Sequence, residues 1–496
     1  MGLGVLLSAG VSAAQTVSGS DQGRGTGTLH MLNETARIVD VVDSFDAGST
    51  FSFRLSAGYH FTNRSTGIDR ELRTTNNPLG TLGYQRVAEY SESTHTLMLN
   101  AEVGLFRDLA LTFGAPIVLS NTRQLRAPGG VSAADLQRTL ADGWTHNGMA
   151  TQLFSPSFDS PERSGIDQVR LGLQWAILNQ QRDRTYPTWM VRFEWRPPVG
   201  DPLRACQRIP TGETVCPAVN SIPGLPPNGG TNSTGATARA GSGLSPGISR
   251  GLHGIYFQTV LSRRLGYLEP YAGFDVLAEF PRRDSPFRYI DTPYGLLGNF
   301  PPIVSSLTVG TEIIPWENRE TWQRFVIDMR LQGTYRSQGR DYSQLYDAFG
   351  TSTSRALLAP GCPSNVRNAD GSCQPGREVY FDGLTTTASH IVLTGSLGIS
   401  VQPAKFLRFN LGAALAWVAP HSLTATDACN PNTSPPAEHP EWRGGCVSNS
   451  APDPQHRPVI DQPGNRFRTT GDMIFDFYAS IALTPQIGRA SCRERV

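Results

Sequence analysis

The stretch HTLMLNAEVGLFRDLALTFGAPIVLS, residues 95–120, decides the fold. Leu97, Leu99, Ala101, Val103 and Leu105 alternate with Thr96, Met98, Asn100, Glu102 and Gly104. Past a turn at Arg107-Asp108, Leu109, Leu111, Phe113, Ala115, Ile117 and Leu119 alternate with Ala110, Thr112, Gly114, Pro116 and Val118. Period two is the signature of a strand. Each half has roughly the 9–11 residues that a tilted strand needs to cross a bilayer. One face is apolar and the other small or polar, the pattern of a wall between lipid and a wet lumen. A soluble sandwich also alternates, so the repeat of the pattern has to discriminate.

It repeats throughout residues 49–485. The first strand is expected at Thr50–Thr62, before a long polar segment, 63–94; the hairpin above follows. Further strands carry Val169–Ile177, Trp189–Trp195, Ile255–Leu261, Ala272–Phe280, Leu307–Ile313, Phe325–Tyr335, Ile391–Val401, Leu407–Trp417 and Met473–Leu483. Twelve strands are counted, and short and long connections alternate strictly, with long loops at 121–164, 200–251, 281–302, 339–387 and 420–466. Short turns at one rim and long loops at the other are the layout of an outer-membrane barrel. The expected fold is therefore all-β, a transmembrane antiparallel barrel of about 12 strands with long extracellular loops and short periplasmic turns.

Charge fixes the phase. On the apolar parity no Asp, Glu, Lys or Arg occurs. The opposite parity carries Arg54, Glu102, Arg170, Arg192, Glu194, Arg196, Glu269, Asp275, Glu279, Glu312, Asp328, Arg330, Arg336, Arg408 and Asp476. An arginine facing lipid at the midplane costs roughly 2–4 kcal/mol, so these residues are expected to line the lumen. Trp175, Trp189, Trp195, Trp417, Tyr59 and Tyr335 fall on the lipid parity, as girdle residues do. Pro116 is the awkward residue, because a closed wall has no free edge for a missing N–H; a bulge toward the outer rim is expected to absorb it.

Both ends stand apart from the barrel. Residues 1–14, MGLGVLLSAGVSAA, read as the end of a secretory signal whose basic region is missing. Residues 15–48 read as an N-terminal extension or a lumen plug. Residues 486–496 are expected to be foreign, since Ile487–Val496 (IGRASCRERV) resembles the translation of a sequencing adapter, which makes Cys492 an artefact. The six other cysteines fall into three local pairs on long loops: Cys206 with Cys216, Cys362 with Cys373, Cys429 with Cys446. Disulfides in such loops imply an oxidising compartment, and no C-x-x-C spacing suggests zinc.

Composition narrows the function. Net charge is +1, which gives no electrostatic case for nucleic acid. Lys405 is the single lysine. Gly247-Ile248-Ser249-Arg250-Gly251 fits G-x-S-x-G but lies in a loop rather than on a strand-to-helix elbow. The histidines show no H-E-x-x-H. No enzyme, metal or cofactor is expected; the expected partners are the lipid bilayer and a small-molecule solute. Seven arginines against eight acids on the lumen parity argue for a small, weakly selective or gated conduit rather than a wide anion or cation porin. If the charges pair across strands they form a ladder, and the alternative is a structural or surface-interaction barrel with disulfide-braced loops and no conduction.

At Gly165-Ile166-Asp167-Gln168-Val169-Arg170-Leu171-Gly172-Leu173, followed by Arg196-Pro197-Pro198-Val199-Gly200, the chain resembles outer-membrane barrels of the phenol meta-degradation transporter type. Those show a Gly-x-Gly-Asp-like entry to one strand and a Pro-rich, Gly-ended exit from the next; Ile166 stands where Gly is more usual. The turn Phe106-Arg107-Asp108-Leu109 is similar in kind. The resemblance implies uptake of small hydrophobic or aromatic compounds across the outer membrane of a Gram-negative-type bacterium. It assigns no solute-binding residue.

Overall fold

The computed structural model describes residues 36–42, 49–73, 82–146, 149–216, 245–282, 287, 300–318, 320–375, 378–430, 434–447, 450–484 and 486–488. The expected signal, most of the extension 15–48 and residues 489–496 lie outside them.

Twelve antiparallel strands form the wall. They are β1 Ser49–Arg73, β2 Leu82–Phe106, β3 Leu109–Arg126, β4 Arg170–Leu178, β5 Thr188–Arg196 and β6 Leu252–Ser262. The second half is β7 Leu268–Pro281, β8 Val304–Asn318, β9 Gln323–Arg336, β10 His390–Ala404, β11 Leu407–Val418 and β12 Asp472–Leu483. Each pairs with its chain neighbours, and β1 pairs with β12 from Leu55↔Leu483 to Ser65↔Met473, which closes the cylinder. Gln486–Gly488 extends this seam by pairing with Ser49–Ser52 at the foot of β1.

The phase follows the charge argument. Leu173, Phe193, Leu307, Met329, Leu331, Leu397, Leu411 and Phe475 are exposed on the outside, whereas Glu194, Glu269, Glu279, Glu312 and Asp328 of the opposite parity are buried. Soluble proteins rarely expose so continuous an apolar surface; a bilayer covers it here. The girdle tryptophans and tyrosines named above are all exposed on this face. No helix among the described residues is long and apolar enough to cross a membrane.

Pro116 sits where the β3–β4 ladder is interrupted. Toward β2 it lies opposite Met98. Toward β4 the pairing stops after Gly114↔Arg170 and resumes at Ile117↔Ile166. The intervening residues turn to β5 instead: Val199 N–H donates to Asp167 O and Val169 N–H to Pro197 O. The missing donor therefore faces a break in the ladder.

The polar segment 63–94, expected as a loop, is strand. β1 and β2 run 25 residues each and remain in register up to Arg73↔Leu82, with one irregularity at Ile68/Asp69. At about 3.3 Å per residue this is roughly 80 Å, far beyond the roughly 30 Å of hydrocarbon. β3 likewise continues to Arg126 into the expected loop 121–164. Above the membrane both faces of these strands meet water or protein, so the apolar stripe that marks a lipid-facing strand disappears.

Against this raised wall three of the long loops fold into one cap. Its core joins Ile68, Val87, Tyr90 and Leu125 of the wall to Leu136, Leu140, Leu153, Phe154 and Phe158 of the first long loop. Leu345, Phe349, Leu357 and Phe381 enter from another loop, and Leu423, Ile460 and Phe467 from the last. Phe349 packs edge-on against Phe154 and Phe467 at centroid distances of 5.7 and 5.3 Å. All three expected disulfides are formed, and closing loops of this size contributes roughly 3 kcal/mol each.

Candidate functional site: the lumen

At the periplasmic end the lumen holds a piece of its own chain. Ala36–Val42 runs inside the barrel, with Ala36 and Val39 packed against Met190, Val260 and Tyr271. Its backbone donates to two carboxylates: Ala36 N–H to Glu269 Oε1 at 2.5 Å and Arg37 N–H to Glu312 Oε1 at 2.9 Å. Asp40 bridges Arg54 at 2.6 Å and Arg408 at 3.4 Å, and its carbonyl accepts from Gln174 Nε2. Charged hydrogen bonds of this kind stabilise by about 1.5–3 kcal/mol each.

These contacts explain an arrangement that would otherwise be unfavourable. Glu269 lies directly opposite Glu312, and Glu312 opposite Asp328, so three carboxylates form one row across β7–β9. Like charges in that relation repel. The row is neutralised by donors: the two N–H groups of the internal segment, the Ser262 hydroxyl on Glu269 at 2.9 Å, and the Tyr271 hydroxyl on Asp328 at 2.5 Å. Arg330 adds an ion pair to Asp328 at 3.0 Å, while Arg324 stands 3.9 Å from Glu312.

The expected ladder of cross-strand pairs is mostly replaced by other partners. Arg54–Glu102, at 3.1 Å, pairs two of the named residues across neighbouring strands. Glu194 binds Arg196 at 2.8 Å and stands 3.8 Å from Arg192, both on its own strand. Asp476 accepts from Thr62 at 2.5 Å, and Asp275 from Ser306. At the outer end Glu279 pairs with Arg250, and Arg336 with Asp341 at 3.2 Å, so loop residues complete the wall's charges. The internal segment falls within residues 15–48, for which the sequence left a lumen plug open, whereas the loop partners were missed in the sequence. The apolar run Ile38-Val39-Asp40-Val41-Val42, broken by a single acid, was the available signal for the segment.

The G-x-S-x-G serine is structural. Ser249 is fully buried, donates to Asp167 O at 3.2 Å and accepts from Gly251 N–H. Among the described residues no cluster of His, Cys, Asp and Glu forms a metal site.

His421, in the loop after β11, stacks on His390 at 3.7 Å and is buried. Burial first, and the neighbouring His390 second, push His421 down to about 4. A folded-state value below the usual 6.5 means that the unfolded chain binds the proton first. The neutral imidazole thus weakens the fold as pH falls from about 6.5 to about 4, by up to about 3 kcal/mol. His421→Asn is expected to lack this loss. Thermal unfolding of both proteins across that range checks it: a constant difference between them would contradict the assignment.

No family model matches the chain, and no curated protein does. Among solved structures it is similar to an outer membrane channel from Pseudomonas putida F1, at 7% identity over 88% of this chain and 99% of that one, with a TM-score of 0.35. A Pseudomonas aeruginosa FadL homologue matches at 10% identity over 92% and 97%, with a TM-score of 0.33. The Pseudomonas putida toluene transporter TodX matches at 11% identity over 93% and 98%, with a TM-score of 0.30. These likenesses are slight, and the architecture stands on the strand pairing: a closed transmembrane barrel of the outer-membrane type.

Proposed function

We propose that the chain is an outer-membrane channel for small molecules, hydrophobic or aromatic ones included, held closed by its own N-terminal segment. One observation carries this reading: the periplasmic half of the lumen is occupied by Ala36–Val42, bound through the lining charges Arg54, Glu269, Glu312 and Arg408. Barrels that only support a surface fill their interiors with wall side chains. A separate segment on hydrogen bonds is a removable stopper.

Asp40→Asn weakens the stopper while leaving Arg54 its Glu102 and Arg408 its Gln402. Losing about 1.5 kcal/mol or more of charged hydrogen bonding shifts a closed–open equilibrium by roughly tenfold. In planar bilayers the wild type is expected to open rarely and Asp40→Asn about ten times more often. No current and no solute flux from either protein overturns the reading.

The cap supports a second reading, a surface-interaction barrel, because three disulfides and a shared core make its exterior a rigid platform. Shortening the loops without changing adhesion or partner capture removes it.

A further inference from the structure

Midway up the lumen, on β4 and β5 and one strand away from the acid-bearing β7, two arginines stand side by side. Arg170 pairs with Gly114 on β3, and Arg196 with Gly254 on β6. The β4–β5 register, Leu171↔Trp195, sets Arg170 and Arg196 as the next opposed pair on the lumen face. The row therefore reads Gly114, Arg170, Arg196, Gly254, Glu279. Added Cβ atoms on the two glycines would come within 3.4 Å of the Arg170 stem and 3.2 Å of the Arg196 stem, so both stems lean across bare backbone.

Like charges in this relation are destabilising, and the protein neutralises them only in part. Arg196 binds Glu194 and lies over the Tyr256 ring at 4.2 Å. Arg192 takes Gln174 at 2.6 Å and stands 3.8 Å from that same Glu194. Among the described residues no hydrogen bond or ion pair reaches the Arg170 guanidinium, although its side chain is partly exposed in the lumen. Glu194 is thus the carboxylate within ion-pair distance of both Arg192 and Arg196, and Asp275 acts on Arg196 from further off. The floor below them is the internal segment, through Gln174 and Asp40; the roof is Arg250 with Glu279 and Asp341.

We propose that Arg170 and Arg196 form a binding site for the carboxylate of a small organic acid travelling through the barrel. A planar guanidinium offers a carboxylate two parallel N–H donors. Two guanidiniums side by side hold one carboxylate between them, and the ligand supplies the negative charge that the wall omits. The inference rests on the channel reading and narrows its solute to an anion, where the balanced count of lumen charges pointed to weak selectivity. Glu269, Glu312 and Asp328 lie on β7–β9 against the internal segment, and Arg170 and Arg196 on β4–β5 above it.

Radiolabelled benzoate binding to the full chain in detergent, with benzyl alcohol as the neutral control, tests the site. Benzoate is expected to bind saturably, more weakly as chloride is raised, and about tenfold more weakly in Arg170→Gln. Arg170→Lys is expected to retain more of the affinity than Arg170→Gln, and benzyl alcohol to respond to neither substitution. Equal binding of benzoate and benzyl alcohol, no benzoate binding, or wild-type affinity in Arg170→Gln overturns the proposal. Should Arg170→Gln fail to fold, judged by heat-modifiable gel migration, the salt dependence in the wild type and the benzyl alcohol comparison decide. Binding intact with no flux in liposomes counts against the channel alone; flux intact with unchanged benzoate binding in Arg170→Gln counts against the anion site alone.

Discussion

Arg163→Met is expected to unfold the cap while the barrel stays closed, at a cost of about 3–5 kcal/mol. The Arg163 side chain is fully buried and grips both oxygens of Asp347, at 2.6 and 3.0 Å, with a further bond to Arg204 O at 2.9 Å. Asp347 also accepts from the backbone N–H of Cys206 at 3.1 Å. One ion pair thus ties together three loops that are remote in sequence. Methionine leaves the carboxylate buried with a single donor. Limited proteolysis with proteinase K reads the outcome: loop cleavage at far lower protease, with the folded barrel still heat-modifiable on gels. Adding Asp347→Leu is expected to recover much of the loss, because an apolar pair of similar volume avoids the stranded charge. Wild-type resistance in Arg163→Met would mean that the pair holds nothing together.

The second large effect tests the orientation of the wall. Leu397 and Ser396 are neighbours in the middle of β10; Leu397 is 53% exposed on the lipid side, and Ser396 lies opposite Arg330 in the lumen. Leu397→Arg is expected to destabilise the barrel by roughly 2–4 kcal/mol, the cost of a guanidinium at the bilayer midplane. Ser396→Glu brings a carboxylate beside Arg330 and is expected to change stability by less than about 1 kcal/mol. Urea unfolding in lipid vesicles compares them. Equal costs for the two substitutions would put the membrane elsewhere.

The membrane-spanning wall was legible in the sequence because lipid imposes a strict rule on alternate residues, and charge settles which parity obeys it. Where lipid ends the rule lapses. Asn63, Arg64, Ser65 and Thr66 continue β1 with polar groups on both faces, so a strand there looks like a loop. The cap was illegible for another reason: its core takes a few residues from each loop, such as Phe154, Phe381 and Phe467, and no period links them. The lumen list gave identities without neighbours. Only the register shows that Glu269, Glu312 and Asp328 share a row, and that Arg170 stands beside Arg196.

Because three of the loops share one core, those three cannot diversify independently. A bacterial surface is read by phages and antibodies, and many exposed loops escape them by rapid substitution or insertion. Here a change in Phe349 or Phe154 is felt by segments from other loops at once. Escape is therefore confined to outward tips such as Trp144 and Val447, which are 52% and 80% exposed. Lineages under such pressure should vary at those tips while the buried anchors change only in concert.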